Sequence, residues 1–489
     1  MEKKSLVKQT ISGSIWKFSE RLLAQAVSFV VSIILARLLM PEDYGLIALS
    51  FIFITLCDKI VVCGFATSLI QKKGADGLDF SSVLYFSLFA ATVLYILIFF
   101  TAPFVADFYS NFDKTQVVSV IRVLGLSFFV VAFNSVQHAY VSKTMLFKRY
   151  FFSTLSGSVV SGIVGLVMAC RGYGVWALVA QNLTMSITDA LVLFCTVKWR
   201  PTLTFSLNRL SALFSFGWRI FVASMLKTLY NEIRGLVIAK AYTPSDLAYY
   251  NKGQSLPQLV DSNVSGTIDS VLFPAYSKLQ NDLSAMKSAL RRSIKTSCYI
   301  LMPLLAVMAA LSDQIIIILL TDKWLPSAYF FQIFCFSFML SPVEMENLQS
   351  LKAIGRSDVV LRLEIAKRII GLLILVISVP LGIYAIAYGF LISALLAAIL
   401  NAYTNSKFIN YFLVEQIRDV FPSFVMSIIL FLAAFYFIKL TPNLSVWSQF
   451  LSVSSVSMIA YITISKIFGV ESFVYIERQI KSFFRKNEH

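Results

Sequence analysis

The chain has 489 residues, 58% hydrophobic and 14% charged, with a net charge of +16 and a mean hydropathy of +0.76. Soluble domains carry about a quarter charged residues, so this composition excludes a soluble globular protein and requires lipid. The six cysteines lie in apolar runs without a CxxC and read as buried inert thiols, and with His138 and His489 as the only histidines a zinc site is hard to build.

A bilayer-spanning helix needs ~20 predominantly apolar residues. In chain order the segments that fit are 14–37, 44–70, 81–106, 116–138, 152–170, 175–197, 211–236, 254–273, 296–320, 327–351, 363–382, 383–405, 420–438 and 445–465. The expected fold is therefore an all-α integral membrane protein of about 14 transmembrane helices. The first segment is too long and too polar for a cleaved leader and is expected to stay in the mature chain.

Basic residues in the connections set the orientation. With the N-terminus in the cytoplasm, 28 of the 42 Lys and Arg fall inside, counting Lys367 and Arg368 with the connection before them, and seven fall outside. Both termini are then cytoplasmic, and the net charge is a topology signal, aided by anionic membrane lipids, rather than a mark of nucleic-acid binding. The connections are too short to hold a soluble catalytic domain, and no GxxxxGK[ST] is present. The expectation is a transporter and not an enzyme.

The stretch "ARLLMPEDYGLIAL" from Ala36 returns as "AKAYTPSDLAYYNK" from Ala239, matching Ala36, Arg37, Pro41, Asp43 and Gly45 with residues 203 positions later. Trp16 corresponds to Trp218 and Asp58 to Asp261, and "GVWALVA" from Gly174 corresponds to "GIYAIAY" from Gly382. Pro41 and Pro244 stop a helix from continuing, and Asp43 and Asp246 suit the start of the next. The order of these matches predicts two parallel, pseudo-symmetric six-helix lobes over 1–208 and 209–412, followed by two additional helices and a cytoplasmic tail over 413–489.

Ionised groups inside a membrane face a cavity or a partner. In the seventh segment Arg219, Lys227, Tyr230 and Arg234 fall within about 80° of one another at 100° per residue. The first segment aligns Lys17 and Arg21 on a similar stripe, and Lys59 lies near the middle of the second. These six basic residues are the expected lining of a cationic cavity that receives an anionic group, phosphate or pyrophosphate being the obvious candidate. Asp58, Asp261 and Asp269 are the candidates for binding a coupling ion. Arg122, Arg234, Lys17 and Asp269 also sit near segment ends, where long side chains snorkel, and Asp189, Glu344 and Glu346 carry no assigned role.

Four stretches, "LARLLMPEDYGL" from Leu35, "GFATSLIQKK" from Gly64, "SVLFPAYSKLQND" from Ser270 and "LTDKWLPSAYFFQIF" from Leu320, resemble the polysaccharide transport family of the multidrug/oligosaccharidyl-lipid/polysaccharide exporter superfamily. The resemblance is to its O-antigen, colanic acid and teichuronic acid exporter branch. It implies twelve helices in two lobes plus two C-terminal helices, with alternating access. It also implies a flippase for an undecaprenyl-pyrophosphate-linked oligosaccharide in the bacterial plasma (inner) membrane, with no cofactor and with coupling to a proton or sodium gradient. The polysaccharide polymerase and glycosyltransferases of the same pathway are the implied partners. The alternatives are a drug/cation antiporter of the same superfamily, which calls for a more acidic or apolar cavity, and a membrane glycosyltransferase or polymerase, which calls for a long external loop.

Overall fold

A computed structural model describes residues 23–280 and 282–486, with side chains described except over 267–275 and 479–486. The expected Lys17 and Arg21 therefore lie outside the described residues, as does the side chain of Asp269. The described chain runs through helices α1 (Leu23–Leu38), α2 (Pro41–Val62), α3 (Phe65–Gln71), α4 (Gly77–Phe108), α5 (Lys114–Gly125), α6 (Ser127–Lys143), α7 (Phe147–Cys170), α8 (Val175–Thr196), α9 (Leu207–Ala241) and α10 (Pro244–Lys278). It continues through α11 (Leu283–Ala310), α12 (Ser312–Leu320), α13 (Pro326–Phe338), α14 (Ser341–Ala353), α15 (Ser357–Ser378), α16 (Ile383–Ile409), α17 (Leu413–Leu440), α18 (Val446–Ile467) and α19 (Glu471–Lys486).

Helix starts follow from short polar side chains that satisfy otherwise orphaned backbone N–H groups. Asp76 accepts from the Asp79 N–H at 3.1 Å while Asp79 accepts from the Asp76 N–H at 3.2 Å, a reciprocal cap on α4. The Asp79 N–H is the main influence holding the Asp76 carboxyl below the usual carboxylate range. Asp113, Asp282 and Ser445 cap α5, α11 and α18 by accepting from the N–H groups of Gln116, Ala285 and Ser448.

The two copies of the repeated turn fold alike. Pro41 and Pro244 are the first residues of α2 and α10. Asp43 accepts from the Met40 N–H at 3.2 Å, and Asp246 from the Thr243 N–H at 3.1 Å. Gly174 and Gly382 both precede a helix, α8 and α16, with positive φ of 54° and 108°, a region that glycine enters without steric cost.

Among the described residues eleven helical stretches are long and apolar enough to cross a membrane. The fourteen expected spans are not reached on that measure, for reasons visible in the residues. The described part of the first is the short α1. The eighth corresponds to α10, which carries Asp246, Lys252, Asp261 and Asp269, and the eleventh to α15, which carries Arg362, Glu364, Lys367 and Arg368. Both are helices, of 35 and 22 residues. They are long enough to span but too polar to register as apolar, α15 through its charges and α10 through Gln254, Gln258, Ser262 and Asn263 as well.

The chain forms two compact units, Met1–Ala248 and Tyr249–His489. In the first, α9 residues Leu210 and Leu213 are buried in one apolar cluster with Phe65, Phe80, Val136, Leu193 and Trp199. In the second unit α11 packs along α17, and the fully buried aromatics include Trp324, Phe330, Phe334 and Tyr411. Large apolar side chains such as Phe104 (73% exposed) and Val376 (70%) face outward, an arrangement that hydrocarbon tolerates and water penalises.

Candidate functional site

In the first unit α2 and α9 run antiparallel in contact. Gly45 lies against Pro244, Gly235 against Ile52 and Gly64 against Gly217. Between the last two approaches this register puts Asp58 and Lys59 of α2 at the level of Lys227 on α9. Three residues selected separately from the sequence therefore share one depth on two adjacent helices.

The basic residues of α9 differ in their surroundings. Arg219 and Lys227 are exposed, and among the described residues neither has a carboxylate within ion-pair distance. The Arg219 guanidinium lies over the Trp218 ring at 5.7 Å, and that of Arg234 over Tyr230 at 6.0 Å. Lys59 is half-buried and likewise has no carboxylate within ion-pair distance among the described residues. A buried oxygen of Asp58, Oδ1, has no hydrogen-bond partner among the described residues, an arrangement that costs free energy unless a proton, ion or another polar group satisfies it.

Asp261, the repeat counterpart of Asp58 in α10, sits in the second unit and has local partners. Ser265 donates to its Oδ1 at 2.9 Å, and Ser341 of α14 donates to the same oxygen. The two aspartates match in chain position but not in environment.

Several polar groups without an assigned role in the sequence reading are paired by the fold. His138 Nε2 lies 2.8 Å from Asp189 Oδ2, joining α6 to α8, while His138 Nδ1 and Asp189 Oδ1 are buried without hydrogen bonds. Glu344 receives Lys367 at 2.8 Å, and Glu346 receives the Ser297 hydroxyl at 2.5 Å. Asp419 is a hub: Arg291 Nε and Lys295 Nζ lie 2.6 and 3.2 Å away, and Tyr411 donates at 2.8 Å. For His138, Asp189, Glu344 and Glu346 the sequence signal is a polar residue within an apolar run, which does not name the partner, while Arg291, Lys295 and Asp419 lie in the connections.

Residues 34–329, more than half of the chain, match the family described as "Polysaccharide biosynthesis protein". The chain belongs to this family. It is 24% identical over 407 residues to the lipopolysaccharide biosynthesis protein WzxC of Escherichia coli K12, covering 82% of each chain. It is 21% identical over 361 residues to the teichuronic acid biosynthesis protein TuaB of Bacillus subtilis, covering 72% of this chain and 73% of the other. Among solved structures it resembles the lipid II flippase MurJ in an inward closed conformation, with a TM-score of 0.71, 16% identity and coverage of 94% and 98%. An inward-facing MATE transporter of the MOP superfamily matches with a TM-score of 0.64 at 19% identity, over 79% of this chain and 94% of that one. At such identities the structural likeness establishes a shared all-helical transporter fold.

Proposed function

We propose that this polysaccharide biosynthesis family member is a flippase that carries a lipid-linked oligosaccharide, built on a polyprenyl-pyrophosphate carrier, from the inner to the outer leaflet of a bacterial plasma membrane by alternating access. The observation that carries this reading is the family match over residues 34–329, strengthened by relatives named for lipopolysaccharide and teichuronic acid biosynthesis. The glycosyltransferases that build the oligosaccharide and the polymerase that consumes it are its functional neighbours. On the charge count, both termini lie in the cytoplasm.

Lys59 and Lys227 share one depth with Asp58, and Arg219 lies about two turns from Lys227 along α9. An anionic pyrophosphate entering a membrane cavity loses water, and fixed cations replace part of that hydration. Arg219 and Lys227 serve this role, with Lys17, Arg21, Lys59 and Arg234 completing the basic set. Arginine does so by paired hydrogen bonds to phosphate oxygens and lysine as a point charge. Asp58, with its unpartnered buried oxygen, is the first candidate for taking up a proton or sodium ion, and Asp261 and Asp269 are the second and third. Ion uptake beside Lys59 and Lys227 would change the local charge between loaded and empty states, which is what coupling to a gradient requires.

The test is deletion of the gene in a producing strain. The flippase reading expects surface polysaccharide to disappear and lipid-linked oligosaccharide to accumulate on the cytoplasmic side. Unchanged surface polysaccharide would refute it.

A further inference from the structure

The second unit contains a cavity of about 740 Å³ at one end of its helices. Its wall comes from the end of α11, the start of α12, the start of α13, the start of α16 and the end of α17. On the orientation read from the charge count, all of these ends lie on the outer side of the membrane. The volume falls within the range of about 300–1,000 Å³ of small-molecule sites.

The lining combines aromatic faces with unmatched polar groups. Tyr329 and Tyr384 are 43% and 45% exposed and meet edge to face at 4.9 Å, while Phe330 stacks on the Tyr384 ring at 5.0 Å. Phe330 thus backs one face of the Tyr384 ring, Tyr329 braces it, and Tyr384 still presents open surface. Asp313 and Lys439 line the same cavity with opposite charges, yet no ion pair joins them among the described residues. Gln314 is buried; its amide nitrogen donates to Gln449 at 2.9 Å, but its carbonyl oxygen is buried without a partner among the described residues. Gln332 completes the polar set. A fixed aromatic platform ringed by a carboxylate, an ammonium and two amides offers a flat apolar face together with several donors and acceptors at its edge.

We propose that this cavity is a saccharide-binding site that takes pyranose units of the cargo on the outer side of the membrane. A pyranose carries an apolar C–H face, which stacks on an aromatic ring, and a rim of hydroxyls, each both donor and acceptor, which match mixed carboxylate, amide and ammonium groups. A phosphate ligand would call for more than one cation, and a lipid tail for none of these polar groups. Tyr384 supplies the stacking face, Asp313 and Gln314 accept from hydroxyls, and Lys439 donates. The site holds the sugar end of the cargo after it passes the membrane, so it opposes return of the cargo to the inner leaflet. This inference rests on the flippase reading.

The test uses the full chain in lipid nanodiscs. The probe is the repeat-unit oligosaccharide released by mild acid from the producing cells' own lipid-linked intermediate, free of lipid and pyrophosphate. The wild-type protein is expected to bind it, and Tyr384→Ala and Asp313→Asn to weaken binding about three- to tenfold, with unchanged unfolding midpoints. Tyr384→Phe, which keeps the ring, should bind more tightly than Tyr384→Ala. Absence of binding to the wild type, or equal binding by all variants, would overturn the site. Loss of surface polysaccharide on gene deletion alongside either result would leave the flippase reading standing and refute this site alone.

Discussion

Ser245 donates its hydroxyl to the Glu42 carboxylate at 2.6 Å, and the two residues hold the same place in the two copies of the repeated turn. Each follows the proline that opens its helix, 203 positions apart. Beside them Gly45 lies so close to Pro244 that a Cβ at residue 45 would overlap the Pro244 carbonyl oxygen. A turn that occurs twice in the sequence meets its own second copy in space. This contact explains both the glycine at position 45 and the start of α10 against α2.

Gly45→Ala is therefore expected to destabilise the protein by about 1–3 kcal/mol, the usual range for overpacking. Gly77, in the first turn of α4, has open space at its Cβ position, so Gly77→Ala should stay within about 0.5 kcal/mol of wild type. Thermal unfolding of the purified variants in detergent measures both. Equal midpoints for Gly45→Ala and wild type would contradict the close contact.

A second prediction concerns Asp79, which is fully buried and takes Lys72 at 2.6 Å and Arg209 at 3.6 Å while capping α4. Removing one member of a buried charge pair costs about 3–5 kcal/mol, because the other charge loses its partner. The half-exposed lysine and arginine can recover water, which pulls Asp79→Ala toward the lower end. A clear drop in unfolding midpoint and in membrane-inserted protein is the expected result.

These features show what could be read in advance. The helical class, the paired turn and the Gly174/Gly382 correspondence rest on local patterns, which sequence displays directly. Charged helices such as α10 and α15 fit the alternation of the chain but not an apolar threshold. Breaks inside single expected spans, at Leu126 between α5 and α6 and after Phe338 between α13 and α14, have Gly125 and Pro342 beside them, but a single glycine or proline inside an apolar run is compatible with an unbroken span. The His138–Asp189 pair joins residues 51 apart, and nothing in one sequence tells which of many helix pairs will meet. The aromatic cavity around Tyr384 is assembled from five helix ends, so it too was invisible along the chain.

The orientation proposal predicts accessibility. In a cysteine-free background, single cysteines beside Lys114 and Lys323 should react with an impermeant maleimide from outside intact cells. Those beside Lys143 and Arg356 should react only after permeabilisation. The reverse pattern at both pairs would invert the assigned topology.

The α9 stripe predicts a graded loss of export. Lys227→Ala and Arg219→Ala should each lower export by about tenfold at equal membrane level, the scale of one hydrogen bond to a charged group. Arg219→Lys should be milder because it keeps the charge and loses the planar fork. Lys407→Ala, in the last turn of α16, should change export little. Wild-type export by both alanine variants would make the stripe structural.

The central claim is translocation itself, and reconstitution measures it. Liposomes carrying the purified protein and a fluorescent polyprenyl-pyrophosphate-linked oligosaccharide are exposed to an impermeant reagent that modifies only outward-facing sugar, with proton and sodium gradients imposed in turn. The account predicts protein-dependent arrival of labelled sugar at the far leaflet, slowed by Lys227→Ala and by Asp58→Asn. Labelling no faster than in protein-free liposomes, from protein shown to be folded and inserted, would contradict it.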